Sequence, residues 1–325
     1  MKLEMYDTVF ITDIANHGSC MDTGQRKVAE ARLEGMGLKM RYASDTTKDP
    51  NRMPYAPDKI RAANFNEGIL DPNVRMILAF VGGSSSQWYL DQVDLDELIA
   101  SGKLFAGYSD CASVCNRLAK MGAVSVYGPS FTNFCDPYFD YTLGNWRALV
   151  MNGSLKVTCP EFFIEEPKSS QNMNRPYETK FPAWEVIQGN GTVSGPALVG
   201  NLATFTRLYD EYRPDVTGSI VIAESMALET NDFISALDSV LHRGKPKAIC
   251  VGTFGRSMVP NHDDLISGIL RIPSLDPSTI VITGFPTGHV APRTSIGIGG
   301  RCTLTAGRDG SIDFETTLEP AMPTT

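Results

Sequence analysis

The sequence predicts an α/β protein with a parallel sheet covered by helices in its N-terminal half and a β-rich α/β domain in its C-terminal half. Over about the first 150 residues, short apolar runs alternate with amphipathic segments, which is typical of a parallel sheet covered by helices. In the second half, β patterns outnumber helical ones. The 325 residues exceed the length at which one hydrophobic core usually stops growing. We therefore expect domains at 1–155 and 184–325, joined by a linker and surface loop at 156–183.

The strands of the N-terminal half are predicted where apolar runs end at glycine, proline or polar residues. These runs occupy residues 9–14, 38–42, 74–80, 104–107 and 123–127. Helices are predicted between them, starting at Asp22 or Thr23, at Pro57 and Asp58, at Leu95, and directly after Ser109. Parallel strands end at the same edge of a sheet, and ligands bind there. The loops after 74–80 and 104–107 are therefore expected to meet in one crevice.

The C-terminal half is predicted to mix strands with two helices. The β patterns lie at 184–187, 219–223, 248–252, 279–283, 301–305 and 311–316, and the helices at 231–242 and 263–270. The preceding stretch is rich in Glu, Pro, Ser and Asn, a composition typical of a mobile surface loop.

Charge and cysteine content restrict the class of function. The net charge of -8 and the pI near 5.1 argue against nucleic acid as a partner, because that needs a basic face. No apolar run approaches the length of a membrane span, and acidic residues interrupt the start of the chain, so we expect a cytoplasmic protein without a membrane partner. The seven cysteines contain no CxxC pair, which favours neither a disulfide framework nor a zinc ribbon.

Ser109 is the strongest candidate for a catalytic nucleophile. It follows an apolar run that ends in Gly107 and precedes an amphipathic segment, so it is expected on a sharp turn between a strand and a helix. The helix N-terminus behind it favours developing negative charge. Hydrolases with this turn usually carry the pattern G-x-S-x-G, whereas Cys111 occupies the last position here. The alternative nucleophile is Cys111. It is less favoured, because Cys111 and Cys115 lie on one face of the predicted helix and are expected to pack there.

His289 is the best candidate for the general base. The chain has four histidines, His17, His242, His262 and His289. His242 ends a predicted helix and His262 lies at a predicted helix start, where dipole and capping effects explain them. His289 instead lies in a loop rich in Gly and Pro, directly after the strong strand at 279–283.

Glu224 is the candidate acid that would orient the histidine, because it ends the apolar strand at 219–223. The alternative is a strand-end charge turned to solvent.

Backbone N–H groups of Asp110 and Gly83 are candidate oxyanion donors, since Asp110 follows the nucleophile and Gly82-Gly83 lets a backbone approach a substrate. The alternative for Gly82-Gly83 is a plain turn. The Asp110 side chain is expected to cap the helix that starts there.

Six segments, in order along the chain, resemble motifs of the LD-carboxypeptidases and of their relatives, the microcin C immunity peptidases. They are 61–74, 81–83, 103–110 with 127–129, 194–202, 220–224 and 288–289. The resemblance implies a Ser-Glu-His triad that falls on Ser109, Glu224 and His289. It also implies a Rossmann-like N-terminal domain, a β-rich C-terminal domain supplying the Glu and the His, no metal or cofactor, and a homodimer. Val199 departs from the motif, because the family has glycine there.

The stretch Gly83–Gln87 and the position of Trp184 are similar to the microcin-immunity branch, whose members cleave an amide between an acidic residue and a modified nucleotide. Gly82, Ser84 and Trp184 are predicted to contact substrate. Trp184 could stack on a base, with core packing as the alternative.

The predicted function is a serine peptidase that cleaves an amide bond near the carboxyl end of a small peptide. The substrate is either a peptidyl-nucleotide or a murein peptide with an L-to-D bond. The alternative from a different class is a non-catalytic protein that binds a small ligand in the interdomain crevice.

Overall fold

One continuous sheet of 14 strands runs through both halves of the chain, and a separate sheet has three strands. A computed structural model describes residues 2–16, 20–44, 55–136, 139–165, 179–226, 228–254 and 261–321. His17 and residues 166–178 of the predicted linker lie outside these ranges. None of the helices within them is long and apolar enough to cross a membrane.

The N-terminal half alternates strands and helices, as predicted. Its strands are β1 (Thr8–Thr12), β2 (Lys39–Tyr42), β3 (Val74–Ala79), β4 (Leu104–Gly107) and β5 (Ser125–Tyr127). Its helices are α1 (Thr23–Gly35), α2 (Asp58–Leu70), α3 (Leu95–Ala100), α4 (Ala112–Lys120) and α5 (Asp140–Arg147). Asp22 caps α1 in a reciprocal pair with Gln25, which fixes the start of that helix.

The remaining elements begin before residue 184. The strands are β6 (Ser154–Val157), β7 (Phe162–Glu165), β8 (Thr179–Lys180), β9 (Glu185–Gln188), β10 (Gly191–Asn201), β11 (Ile220–Glu224), β12 (Ala248–Gly252), β13 (Ile280–Phe285), β14 (Val290–Ala291), β15 (Ile296–Ile298), β16 (Gly300–Ala306) and β17 (Ile312–Pro320). The helices are α6 (Leu202–Arg207), α7 (Thr230–Leu241) and α8 (His262–Ile269).

The main sheet joins two parallel blocks through an antiparallel seam. The N-terminal block has the order β2-β1-β3-β4-β5, and the C-terminal block runs β10-β11-β12-β13 with β9 at its edge. The seam is β15, which pairs antiparallel with β5 and parallel with β10. Tyr127 lies opposite Ile296 across it. The predicted fold class, a Rossmann-like parallel-sheet half followed by a β-rich α/β half, is confirmed.

Apolar side chains cover both faces of this sheet. One buried cluster contains the strands of the N-terminal block and continues through Ile222 and Ile282 of the C-terminal block. A second cluster packs β10–β13 against α6, α7 and α8, with Phe233 and Leu237 fully buried. The carboxyl ends of the strands, where the core stops, carry the polar residues described below.

Two regions differ from the sequence prediction. In the predicted linker, β7 pairs with both β8 and β14, and β6 crosses the expected boundary at residue 155 to pair with β17. The strand β10 is 11 residues long, although no strand was expected there. The glycines and Pro196 of β10 interrupt the alternating pattern by which a strand is predicted. They lie where β10 changes its pairing partner, from β16 up to Pro196 to β11 from Ala197 onward.

Candidate active site

Ser109 lies on a sharp turn between β4 and α4, as its neighbours predict. Its φ is +59°, a left-handed conformation that is uncommon outside glycine. One 3-10 turn, Ser109–Cys111, leads from there into α4. The hydroxyl is thereby presented at the carboxyl edge of the sheet, beside Gly82 in the loop that follows the neighbouring strand β3.

Two glycines make room for this turn. A Cβ on Gly82 would lie 2.8 Å from the Cβ of Ser109. A Cβ on Gly107 would lie 2.7 Å from both Cβ and Sγ of Cys111. Cys111 therefore replaces the last glycine of G-x-S-x-G because Gly107 leaves space for its side chain.

The two cysteines of α4 are buried and unsuited to nucleophilic attack. Burial raises the pKa of the Cys111 thiol well above its ordinary value, and Asp110 adds to the effect. Burial likewise raises the pKa of Cys115 to about 12. Since the thiolate is the reactive form, the geometry disfavours the alternative in which Cys111 is the nucleophile.

The structure brings Ser109, His289 and Glu224 into one hydrogen-bonded row. The Ser109 Oγ lies 3.0 Å from His289 Nε2, and His289 Nδ1 lies 2.9 Å from Glu224 Oε2. Because an ionised carboxylate only accepts, Nδ1 carries a hydrogen toward Glu224, and when the ring is neutral Nε2 is the nitrogen that accepts from the serine hydroxyl. This arrangement allows the imidazole to remove a proton from Ser109.

The loop after β13 holds His289 in place. Gly288 has a φ of +143°, and a Cβ there would collide with the Thr253 carbonyl. The Gly288 N–H donates to the Tyr108 hydroxyl at 3.1 Å. The ring of Tyr108 packs on the imidazole, with centroids 5.2 Å apart. His289 is thus fixed relative to the residue that directly precedes the serine.

Glu224 is fully buried, so the alternative of a solvent-facing strand-end charge is wrong. Its Oε1 accepts from the Tyr127 hydroxyl at 2.5 Å and from Asn201 Nδ2 at 2.9 Å. Burial alone would raise the pKa of this carboxyl. The positive charge that His289 carries when it is protonated, together with hydrogen bonds from His289, Tyr127 and Asn201, outweighs burial and holds the pKa below its ordinary value.

A pocket of about 330 Å³ opens beside Ser109 and His289. Gly82, Gly83 and Ser84 line it, as predicted for a substrate site, together with polar side chains of Asn16, Ser130, Thr132 and Asn133. A Cβ on Gly83 would lie 2.6 Å from Asn16 Oδ1, so only glycine fits where the two loops meet. Among the described residues that line the pocket, none is Lys, Arg, Asp or Glu.

Asp110 and Trp184 are placed differently from expectation. The Asp110 side chain accepts from the Ser86 N–H at 2.9 Å, so it ties the loop after β3 to the serine turn instead of capping α4. Trp184 does not line the pocket. Its ring packs against Phe285, with centroids 5.7 Å apart, beside the main hydrophobic cluster. That position fits the core-packing alternative for Trp184.

Sequence reasoning missed Tyr127 and Asn201, the two donors to Glu224. Asn201 lies directly opposite Glu224 in the pairing of β10 with β11. Asn201 is a polar residue at the end of a strand, next to a strand that ends in a carboxylate. This pattern could indicate a contact with Glu224 only if β10 had been predicted as a strand. Tyr127 carried no signal of its own, since an aromatic residue that ends a strand is ordinarily core.

Comparison with known proteins finds the same family in both halves of the chain. The family model of the LD-carboxypeptidase N-terminal domain matches residues 13–128, and the model of the LD-carboxypeptidase C-terminal domain matches residues 194–304. The Bacillus subtilis protein named "Putative carboxypeptidase YocD" is 25% identical over 319 residues, covering 94% of this chain and 95% of the relative. "Microcin C7 self-immunity protein MccF" of Escherichia coli is 30% identical over 177 residues, which is 51% of each chain.

Solved structures share the fold. The MccF-like protein from Bacillus anthracis strain Ames superposes with a TM-score of 0.89 at 23% identity, covering 98% of both chains. Microcin C7 self-immunity protein MccF in complex with aspartyl sulfamoyl adenosine superposes with a TM-score of 0.84 at 23% identity, covering 97% of both. With both domain descriptions matched in order along one chain, this protein belongs to the LD-carboxypeptidase family of peptidases.

Proposed function

We propose that this protein is a serine peptidase that cleaves an amide bond near the carboxyl end of a small peptide. The observation that carries the proposal is the row Ser109–His289–Glu224, in which the serine hydroxyl lies 3.0 Å from an imidazole nitrogen whose other nitrogen binds a buried carboxylate. Ordered donors and acceptors of this kind define a nucleophile, a base and an orienting acid. Membership of a peptidase family supports the same chemistry.

In the proposed mechanism, Ser109 Oγ attacks the scissile carbonyl while His289 Nε2 takes the hydroxyl proton. Glu224 holds the ring in the required tautomer and stabilises the imidazolium. His289 then returns the proton to the leaving amine, and the peptide remains as an ester on Ser109. A water molecule, deprotonated by the same imidazole, then attacks that ester; the bond to Ser109 Oγ breaks, the carboxylic acid product leaves, and His289 Nε2 returns the proton to Ser109 Oγ.

We assign the oxyanion site to the backbone N–H groups of Gly83 and Asp110. Gly83 lines the pocket that contains the serine, and Asp110 is the residue after the nucleophile. The contact between the Asp110 carboxylate and the Ser86 N–H holds the two donor segments together. Losing one such donor typically costs a hundred- to a thousandfold in rate, to an order of magnitude.

The substrate is a peptidyl-nucleotide or a murein tetrapeptide with an L-to-D bond. The polar side chains among the described lining residues support a substrate held by hydrogen bonds at its reacting end, with Gly82 and Ser84 contacting it. A structural neighbour was solved with aspartyl sulfamoyl adenosine, which supports the first class. The family name supports the second.

A side-by-side mass-spectrometric assay tests the proposal. Wild type and Ser109→Ala are incubated with a murein tetrapeptide and with a peptidyl sulfamoyl adenylate. We expect cleavage of one substrate by wild type and essentially none by the variant. Tight binding of either compound without cleavage by wild type would instead favour the non-catalytic binding protein. A homodimer, a cytoplasmic location and the domain boundaries stay predictions from the sequence.

A further inference from the structure

Tyr127 reaches the acid of the site from the other side of the seam. It ends β5, where it lies opposite Gly107 of β4, two residues before Ser109. Its hydroxyl donates to Glu224 Oε1 at 2.5 Å, and the ring is fully buried. With Asn201 on the same oxygen, Oε1 is occupied by two donors and Oε2 is left for His289. The carboxylate is therefore held at one rotation about its terminal bond.

Tyr108 fixes the base, His289, as Tyr127 fixes the acid. It directly precedes Ser109, and its hydroxyl accepts from the Gly288 N–H at 3.1 Å, one residue before His289. Its ring lies against the imidazole. The loop that carries the base is thus tied to the residue next to the nucleophile.

The two tyrosines form one unit. Their ring centroids are 4.8 Å apart. Space for the Tyr127 ring comes from Gly200, whose φ is +79° and where a Cβ would lie 2.9 Å from Tyr127 Cζ. Tyr108 directly follows β4 and Tyr127 ends the adjacent strand β5, so this buried pair fixes the positions of His289 and Glu224 relative to Ser109.

We propose that Tyr127 and Tyr108 are positioning residues: they hold Glu224 at hydrogen-bonding distance from His289, and His289 at hydrogen-bonding distance from Ser109, across the seam. This inference rests on the proposed serine-peptidase function. Neither hydroxyl takes part in bond making. Each fixes a group that does, and misplacement of a catalytic group by about 1 Å can cost on the order of a hundredfold in rate.

The test compares Tyr127→Phe with Tyr42→Phe. Both changes remove a hydroxyl that donates to a glutamate, since Tyr42 donates to Glu30 Oε1 at 2.6 Å and does not line the pocket. The readout is covalent labelling of Ser109 by a fluorophosphonate, followed by intact-protein mass spectrometry over a range of reagent concentrations. This separates the maximal labelling rate from the half-saturating concentration.

We expect Tyr127→Phe to lower the maximal labelling rate by roughly ten- to a hundredfold without changing the half-saturating concentration. Tyr42→Phe is expected to label like wild type. Tyr108→Phe is the second variant, for use if Tyr127→Phe does not fold, and is expected to lower the maximal rate as well.

The outcomes separate the two proposals. If wild type is labelled at Ser109 and the folded tyrosine variants are labelled at the same rates, the positioning role is overturned, while the proposed serine-peptidase function is unaffected. Equal losses in Tyr127→Phe and Tyr42→Phe also overturn it, because they reflect a general loss of structure. Absence of labelling at Ser109 in wild type overturns the proposed function itself.

Discussion

Asn116 holds the backbone of Val199 through both of its hydrogen-bonding groups. Asn116 Nδ2 donates to the Val199 carbonyl at 2.7 Å, and the Val199 N–H donates to Asn116 Oδ1 at 2.8 Å. Val199 has a φ of +83°, an unfavourable conformation for a β-branched residue. The side-chain amide of Asn116, in α4, thus stabilises the strained segment of β10 that leads to Asn201.

Asn116→Ala should lower the free energy of unfolding by roughly 2–4 kcal/mol, because it leaves a buried N–H and a buried C=O unpaired. Urea denaturation followed by circular dichroism measures the change. Asn66→Ala is the matched control, since Asn66 also bonds two backbone groups, those of Gln92 and Asp94, but in an exposed setting where water can replace it. Equal losses in the two variants would contradict the role of burial.

Removing members of the triad should not be additive. We expect Ser109→Ala and His289→Ala each to lower kcat/KM by at least about 10⁴-fold, and the double variant to be no slower than the worse single one, because the groups act as a unit. Turnover of the substrate identified by the mass-spectrometric assay gives the rates. Multiplying effects would show that the two residues act independently.

Glu224 should make stability depend on pH. The pKa of its carboxyl is held below the ordinary value in the folded protein, so the unfolded chain binds the proton at a higher pH. The stabilisation is complete above the unfolded pKa of about 4.3 and is lost as pH falls through the lower folded pKa. The difference in unfolding free energy between wild type and Glu224→Gln should therefore shrink below that pH.

Denaturation series at several pH values test this expectation. Glu211→Gln, which alters an exposed carboxyl, is the control and should keep the wild-type pH dependence. A difference between wild type and Glu224→Gln that stays constant down to acid pH would refute a stabilising ionised carboxylate.

Alkylation should leave activity intact. Burial keeps the Cys111 and Cys115 thiols neutral and out of contact with reagent. We expect iodoacetamide to modify neither cysteine in the folded protein, as peptide mapping would show, and to modify both after unfolding in urea. Loss of activity in step with Cys111 modification would return that cysteine to consideration as nucleophile.

Gly82→Ala should impair the site without unfolding the protein. The added methyl would lie 2.8 Å from Ser109 Cβ and 3.1 Å from the Tyr108 carbonyl, so it must displace the serine turn. We expect kcat to fall roughly ten- to a hundredfold. Gly144→Ala, in α5 with nothing within 4 Å of the added Cβ, should keep wild-type activity and gain about 0.5–1 kcal/mol of stability. Similar activities in the two variants would contradict the steric effect.

The alternation of strands and helices, the turn at Ser109 and the location of His289 at a strand end followed from local pattern, because each depends on residues close in sequence. The position of Trp184 did not, since packing on Phe285 depends on a contact about 100 residues away. The donors to Glu224 were missed for the same reason. Tyr127 is 97 residues from its acceptor, and Asn201 lies on a strand whose glycines and proline conceal it.

The antiparallel seam between β5 and β15 also determines when the protein can become active. Ser109 and His289 are 180 residues apart, and β15 joins the two blocks of the sheet that carry them. During synthesis the N-terminal half emerges and can fold first. It then carries only a serine hydroxyl, which is a weak nucleophile without its base. In the proposed mechanism, a nascent or truncated chain is therefore harmless to the cell's own amide bonds, and hydrolysis begins only when the last strands are in place.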